Sequence, residues 1–165
     1  MSAVSAASVP PLFAGLFDDA ALFPPGNASM PDAVRGHAGY RQEWYADLVA
    51  RFVCPAGRLA ELDGALAEAG GPAAGVAPEF EVSLTVPDGP AGLADALAAA
   101  EDRSLLRIGA VELPVGPAEL PGVLDGLAEV ADRGIAVYAE VPVGEVTAEL
   151  AAALHAAGLG LKLRT

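Results

Sequence analysis

Two glutamates, one lysine and one arginine are the residues best suited to chemistry. Glu112 in VELPVG (111–116) and Glu140 in AEVPVG (139–144) each stand two residues before a proline. If both segments are strands, the two carboxylates occupy matched positions on neighbouring strands. Neighbouring carboxylates repel, which raises one pKa and suits general acid/base work, and their oxygens can share a divalent cation such as Mg²⁺ or Mn²⁺. Lys162 is the only lysine in the chain and lies two residues before Arg164 in the last apolar run. A lysine partly desolvated beside an arginine can attack a carbonyl, or it can hold the anionic group of a substrate. Thr85 and Asp88 of LTVPDG (84–89) join Arg164 as substrate-binding candidates. The competing reading is structural: Lys162 or Arg164 neutralises each glutamate in an ion-pair cluster.

The elements that must position these groups form an internal repeat. LTVPDG, VELPVG and AEVPVG recur at spacings of 27 and 28 residues, and FVCPAG (52–57) is a fainter copy. Each ends an apolar run and precedes a segment of helical periodicity. Proline donates no hydrogen bond to a sheet and glycine permits the turn that follows, so the motif marks the end of a parallel strand. Leu59, Leu62 and Leu66 make the apolar stripe of the first helix; Leu93 and Leu97 that of the second; Leu120, Val123, Leu124, Leu127 and Val130 that of the third; Val146, Leu150, Ala153 and Leu154 that of the fourth. Gly70, Gly134 and Gly158 sit where a left-handed residue would close three of these helices. A fifth strand covers 159–165. Residues 1–45 are expected to hold an extended segment and a leading helix from about Pro31 to Tyr45, with Ser29 and Asp32 at capping-box spacing. Residues 46–165 then form one domain of four βα units and the fifth strand.

Alternating strands and helices imply an α/β fold of parallel βα repeats. Aligning the motifs puts Val53, Thr85, Glu112 and Glu140 on one face, together with Arg51, Glu81, Ser83, Tyr138, Lys162 and Arg164. The other face carries Phe52, Val82, Leu84, Val86, Val111, Leu113, Val137, Val141, Leu161 and Leu163. A doubly wound sheet would bury the polar face under helices at a cost of several kcal/mol per unpaired charge. A closed barrel turns it inward, where charges can pair. The expectation is a partial, truncated barrel of the triosephosphate-isomerase (TIM) type; the alternatives are a half-barrel that dimerises and a complete five-stranded, flavodoxin-like open sheet.

Residues 46–165 as a whole resemble the N-terminal part of such a barrel. The opening GLFDDAALFPPGNA and the strand AEVPVG are similar to an actinobacterial family of longer, uncharacterised proteins, which brings no activity with it. The run AAGLGLKLRT resembles the Schiff-base strand of class I aldolases of barrel fold. The barrel resemblance implies a site at the C-terminal ends of the strands, where Thr85, Asp88, Glu112, Glu140, Lys162 and Arg164 would stand.

Charge and the absence of other motifs narrow the function. Residues 1–60 carry five acids against four arginines, and the remainder 17 acids against five bases, so nearly all of the net −13 lies in the C-terminal two-thirds. Such a surface repels phosphate backbones and anionic lipid, which argues against nucleic-acid and membrane-surface partners. There is no P-loop, G-x-G-x-x-G after a strand, C-x-x-C or G-x-S-x-G, and no basic region precedes the apolar start, so the chain is expected to be cytoplasmic. Asp18 and Asp19 either fold over a barrel end or cap a helix; Cys54 reads as a small core residue. His37 and His155 read as surface or packing residues without metal-ligand spacing, and Trp44 and Tyr45 as packing the leading helix against the first strand. The expected function is lyase, aldolase or isomerase chemistry on a small anionic metabolite. The alternatives are a non-catalytic binding or dimerisation module, or a fragment with no activity of its own.

Overall fold

A computed structural model describes residues 9–70 and 80–164. The sheet strands are β1 (Phe17–Asp19), β2 (Val49–Pro55), β3 (Phe80–Thr85), β4 (Leu106–Pro114), β5 (Ala136–Pro142) and β6 (Gly160–Arg164). The helices are α1 (Met30–Tyr40), α2 (Leu59–Glu68), α3 (Pro90–Glu101), α4 (Leu120–Asp132) and α5 (Ala148–Ala156). All strand pairs are parallel and the spatial order is the chain order, β1 to β6, in a sheet curled into a half-barrel.

The repeat explains the regularity. Pro55, Pro114 and Pro142 are the last residues of β2, β4 and β5, where a missing N–H costs the ladder nothing. Gly134 and Gly158 follow α4 and α5 with φ of +83° and +71°, the left-handed conformation that closes a helix and returns the chain to the sheet. Ser29 caps α1 by accepting from the Asp32 backbone N–H at 3.3 Å, and Thr147 caps α5 by accepting from that of Leu150 at 3.2 Å.

One apolar core joins the convex face of the sheet to the helices. Phe52, Val82, Leu84, Val111, Leu113 and Val141 are buried there against Leu62, Leu97, Leu127 and Leu154. This is the apolar face expected from strand parity, and the helical stripes supply the other side. Leu163 departs from the pattern: it is 57% exposed near the end of edge strand β6.

Three expectations change. The sheet has six strands rather than five, because Phe17–Asp19, within the supposed extended segment, pairs parallel with β2. The leading helix ends at Tyr40 rather than Tyr45, and the chain turns there. Trp44 is 70% exposed and meets only the Tyr45 ring among aromatic neighbours, so it does not pack the helix against a strand.

Leu113→Ala empties a fully buried position and should lower the unfolding free energy by about 2–5 kcal/mol. Trp44→Ala should change it by no more than about 0.5 kcal/mol. Urea denaturation followed by circular dichroism measures both, and equal losses would contradict this assignment of the core.

Candidate functional site

Glu112 is the centre of the concave face. It is buried, yet its strand alternation forces it away from the apolar core, so its carboxylate must find partners within the curl of the sheet. Ser83 on β3 donates its hydroxyl to Glu112 Oε1 at 2.6 Å, and the Lys162 ammonium on β6 pairs with Glu112 Oε2. Both oxygens are thereby engaged. Among the described residues no buried side-chain polar atom lacks a hydrogen-bond partner.

The contact from β4 to β6 passes over β5, and the register shows how. Glu112 lies beside Tyr138, and Glu140 lies beside Lys162, so Glu140 stands two residues further along its strand than the motif alignment places it. The same two-residue offset separates β2 from β3, where Val53 pairs with Ser83 rather than Thr85. Thr85 and Glu112 do pair directly. The expectation that Glu112 and Glu140 face each other at matched positions is therefore corrected: the stagger of the sheet puts Lys162 level with Glu140 and within reach of Glu112.

Small residues make room for this. A Cβ at Gly160 would overlap the Tyr138 ring, and one at Gly109 would overlap the Glu81 carboxylate. Gly109 sits where β4 shifts register against β3, at an irregularity between the Val82–Ile108 and Ser83–Ala110 pairs. The extra residue restores the inward direction of Ala110 and Glu112. Toward the N-terminal ends of the strands, Glu81 is held by Arg51 at 3.0 Å and Arg107 at 2.8 Å. Burial works against the Arg51 charge, but the hydrogen bond to Glu81 and the Glu81 charge outweigh it and hold the guanidinium above its ordinary pKa.

The remaining candidates separate. Glu140 is half-buried beside Lys162, and its carboxylate makes no hydrogen bond or ion pair among the described residues. Thr85 is half-buried next to Glu112, whereas Asp88 and Arg164 are exposed at the strand ends. Arg164 forms no ion pair with either glutamate among the described residues. No group of three or more His, Cys, Asp or Glu is arranged to hold a metal ion among the described residues. With both Glu112 oxygens occupied by protein donors, the pair Glu112 and Glu140 does not form a ready cation site.

Ser83 and Tyr138 belong to this cluster although the sequence singled out neither for a role. Alternation in FEVSLT places Ser83 inward, but only the stagger puts it against Glu112. Cys54 is fully buried, its thiol donates to the Pro55 carbonyl at 3.5 Å, and burial pushes its pKa up to about 12. His155 is exposed, while His37 is buried and bonded to Asp19, outside the cluster. Asp18 accepts from the Arg51 backbone N–H at 3.1 Å rather than reaching the site. No helix among the described residues is long and apolar enough to cross a membrane. Compared with family models, curated proteins and solved structures, the chain matches none.

Two measurements follow from this geometry. Lys162→Met strands a buried carboxylate; loss of a partner in a fully buried pair costs about 3–5 kcal/mol. Because the Lys162 side chain is 43% exposed, water offsets part of the loss and about 1–3 kcal/mol is expected. Adding Glu112→Gln should recover most of it in urea denaturation, and no recovery would mean that the pair is not coupled. The Cys54 thiol should resist iodoacetamide at about pH 8 in the native protein and react fully in denaturant; rapid native labelling would contradict its burial.

Proposed function

We propose that the chain supplies six consecutive strands of a TIM-type βα barrel and that its concave face is an enzyme site for a small anionic metabolite. Three features support the barrel over a flavodoxin-like sheet: strands in unbroken sequential order, helices on one face only, and offsets of two residues at alternate strand pairs. In eight-stranded barrels the interior fills in layers drawn from alternate strands. The Glu112–Lys162 contact between β4 and β6 fits that layering.

The observation that carries the functional reading is the lone lysine held at the strand ends by a buried carboxylate. Glu112, fixed by Ser83, orients Lys162 rather than acting as acid or base itself. It is a positioning residue. Lys162 and Arg164 then bind the anionic group, Thr85 offers a hydroxyl, and Asp88 lies on the turn above. Glu140, half-buried and without a side-chain partner among the described residues, is the acid/base. It takes a proton from a carbon next to a carbonyl and returns it, the shared step of lyase, aldolase and isomerase chemistry. With its nitrogen engaged by Glu112, Lys162 is placed to bind an anion rather than to attack a carbonyl.

A second reading, a non-catalytic module that pairs with a second copy, is favoured by exposed apolar residues on both sheet edges, Phe17 on β1 and Leu163 on β6.

Lys162 is the only lysine, so reductive ¹³C-methylation yields a single side-chain NMR signal besides the α-amino group. Pyruvate or 2-oxoglutarate should shift that signal saturably, and Arg164→Gln should weaken binding by about tenfold, near 1.4 kcal/mol. The bound 2-oxo acid should exchange the hydrogens beside its carbonyl for deuterium from D₂O, and Glu140→Gln should abolish exchange while leaving the shift. Absence of any shift would overturn the site. A shift without exchange, from a dimer in light scattering, would establish the binding module instead.

A further inference from the structure

A second group of titratable side chains lies at the opposite, N-terminal ends of the strands. Asp19 and His37 form a buried pair, with side chains 8% and 7% exposed and Oδ2 to Nδ1 at 3.0 Å. The Asp19 Oδ1 accepts from the Ala21 backbone N–H at 3.1 Å, which fixes the carboxylate. The imidazole is wedged edge-on between Phe52 and Phe80, with ring centroids 5.6 and 5.1 Å away. A carboxylate only accepts, so in the neutral ring the proton resides on Nδ1 and Nε2 is a bare acceptor. Among the described residues no hydrogen bond reaches His37 Nε2.

His37 is also part of the lining of a cavity of about 680 Å³ between the last turn of α1 and the starts of β2, β3 and β4. His37, Arg41, Asp47, Glu81 and Arg107 line it. His37 and Arg41 are one helical turn apart, on the same face of α1. Arg41 spends one N–H on the Val49 carbonyl at 2.7 Å, and its guanidinium pairs with no carboxylate among the described residues. Glu81 is taken up by Arg51 and Arg107. Arg41, His37 one turn away and Asp47 thus share the lining of one cavity.

We propose that this cavity is a second small-molecule site, which takes a carboxylate bearing a hydrogen-bond donor on its adjacent carbon, an α-hydroxy or α-amino acid. The ligand carboxylate pairs with Arg41 and its hydroxyl or ammonium donates to His37 Nε2, while Asp19 holds the ring in the accepting tautomer. An ammonium also meets the negative charge of Asp47. The site is independent of the reading given to Lys162 and Glu140, which stand at the other ends of the strands.

The chain contains two histidines, so long-range ¹H–¹⁵N spectra report His37 and His155 separately. Glycolate or glycine should move the His37 Nε2 signal saturably and leave His155 unmoved. Acetate, which has no adjacent donor, should bind at least about tenfold more weakly. Arg41→Ala, an exposed substitution that leaves the Asp19–His37 pair intact, should weaken glycolate binding by about tenfold as well. A His37 signal indifferent to glycolate and glycine would overturn the proposal. Equal binding of acetate, or binding unchanged by Arg41→Ala, would do the same. The methylated Lys162 signal, read in the same samples, separates this outcome from success or failure at the other site.

Discussion

A buried carboxylate on the helix-free face of a parallel sheet is the constraint around which this molecule is organised. Glu112 cannot turn into the apolar core, and a flat sheet would leave it in water or unpaired. Curling the sheet brings Ser83 from one side and Lys162 from two strands away on the other, and the ion pair becomes a tie across the concave face. Burial of an ion pair is at best a weak source of net stability. Its stronger effect here is geometric, since curvature and stagger together shorten a contact that skips a strand.

The repeat makes that curvature inexpensive to encode. Most units close the strand with proline, turn, and send a helix back along the convex side, where leucines at helical spacing meet the valines and leucines of the strands. Deviations from strict repetition fall where the concave face is crowded. Gly160 leaves space for the Tyr138 ring, and the irregularity at Gly109 accommodates Glu81 while keeping Glu112 directed inward. Both positions spend a side chain to gain close approach.

The two ends of the strands differ in kind. At the C-terminal ends, Glu140 and Arg164 have no side-chain partners among the described residues and stand near a fixed lysine. At the N-terminal ends, an imidazole is wedged between phenylalanines and oriented by Asp19, which also ties the short first strand to α1. Polar groups that serve packing alone are usually satisfied on all sides.

Much of this was legible in the chain itself. Helix stripes, strand-ending prolines and closing glycines depend on local periodicity and backbone preference, so the parallel βα order and the division into an apolar and a polar sheet face followed from sequence alone. The inward direction of Glu112, Glu140, Lys162 and Ser83 followed too, because side chains alternate along a strand. Which of them meet could not, because register between strands is a tertiary quantity. The two-residue offsets moved Glu140 away from Glu112 and brought Lys162 to it. Phe17–Asp19 is too short to announce itself as a strand, and it becomes one only by pairing with β2. His37 and Asp19, 18 positions apart, carry no shared motif. Their partnership exists because α1 folds back over the first strand, and folding alone decided that the imidazole would be buried and oriented.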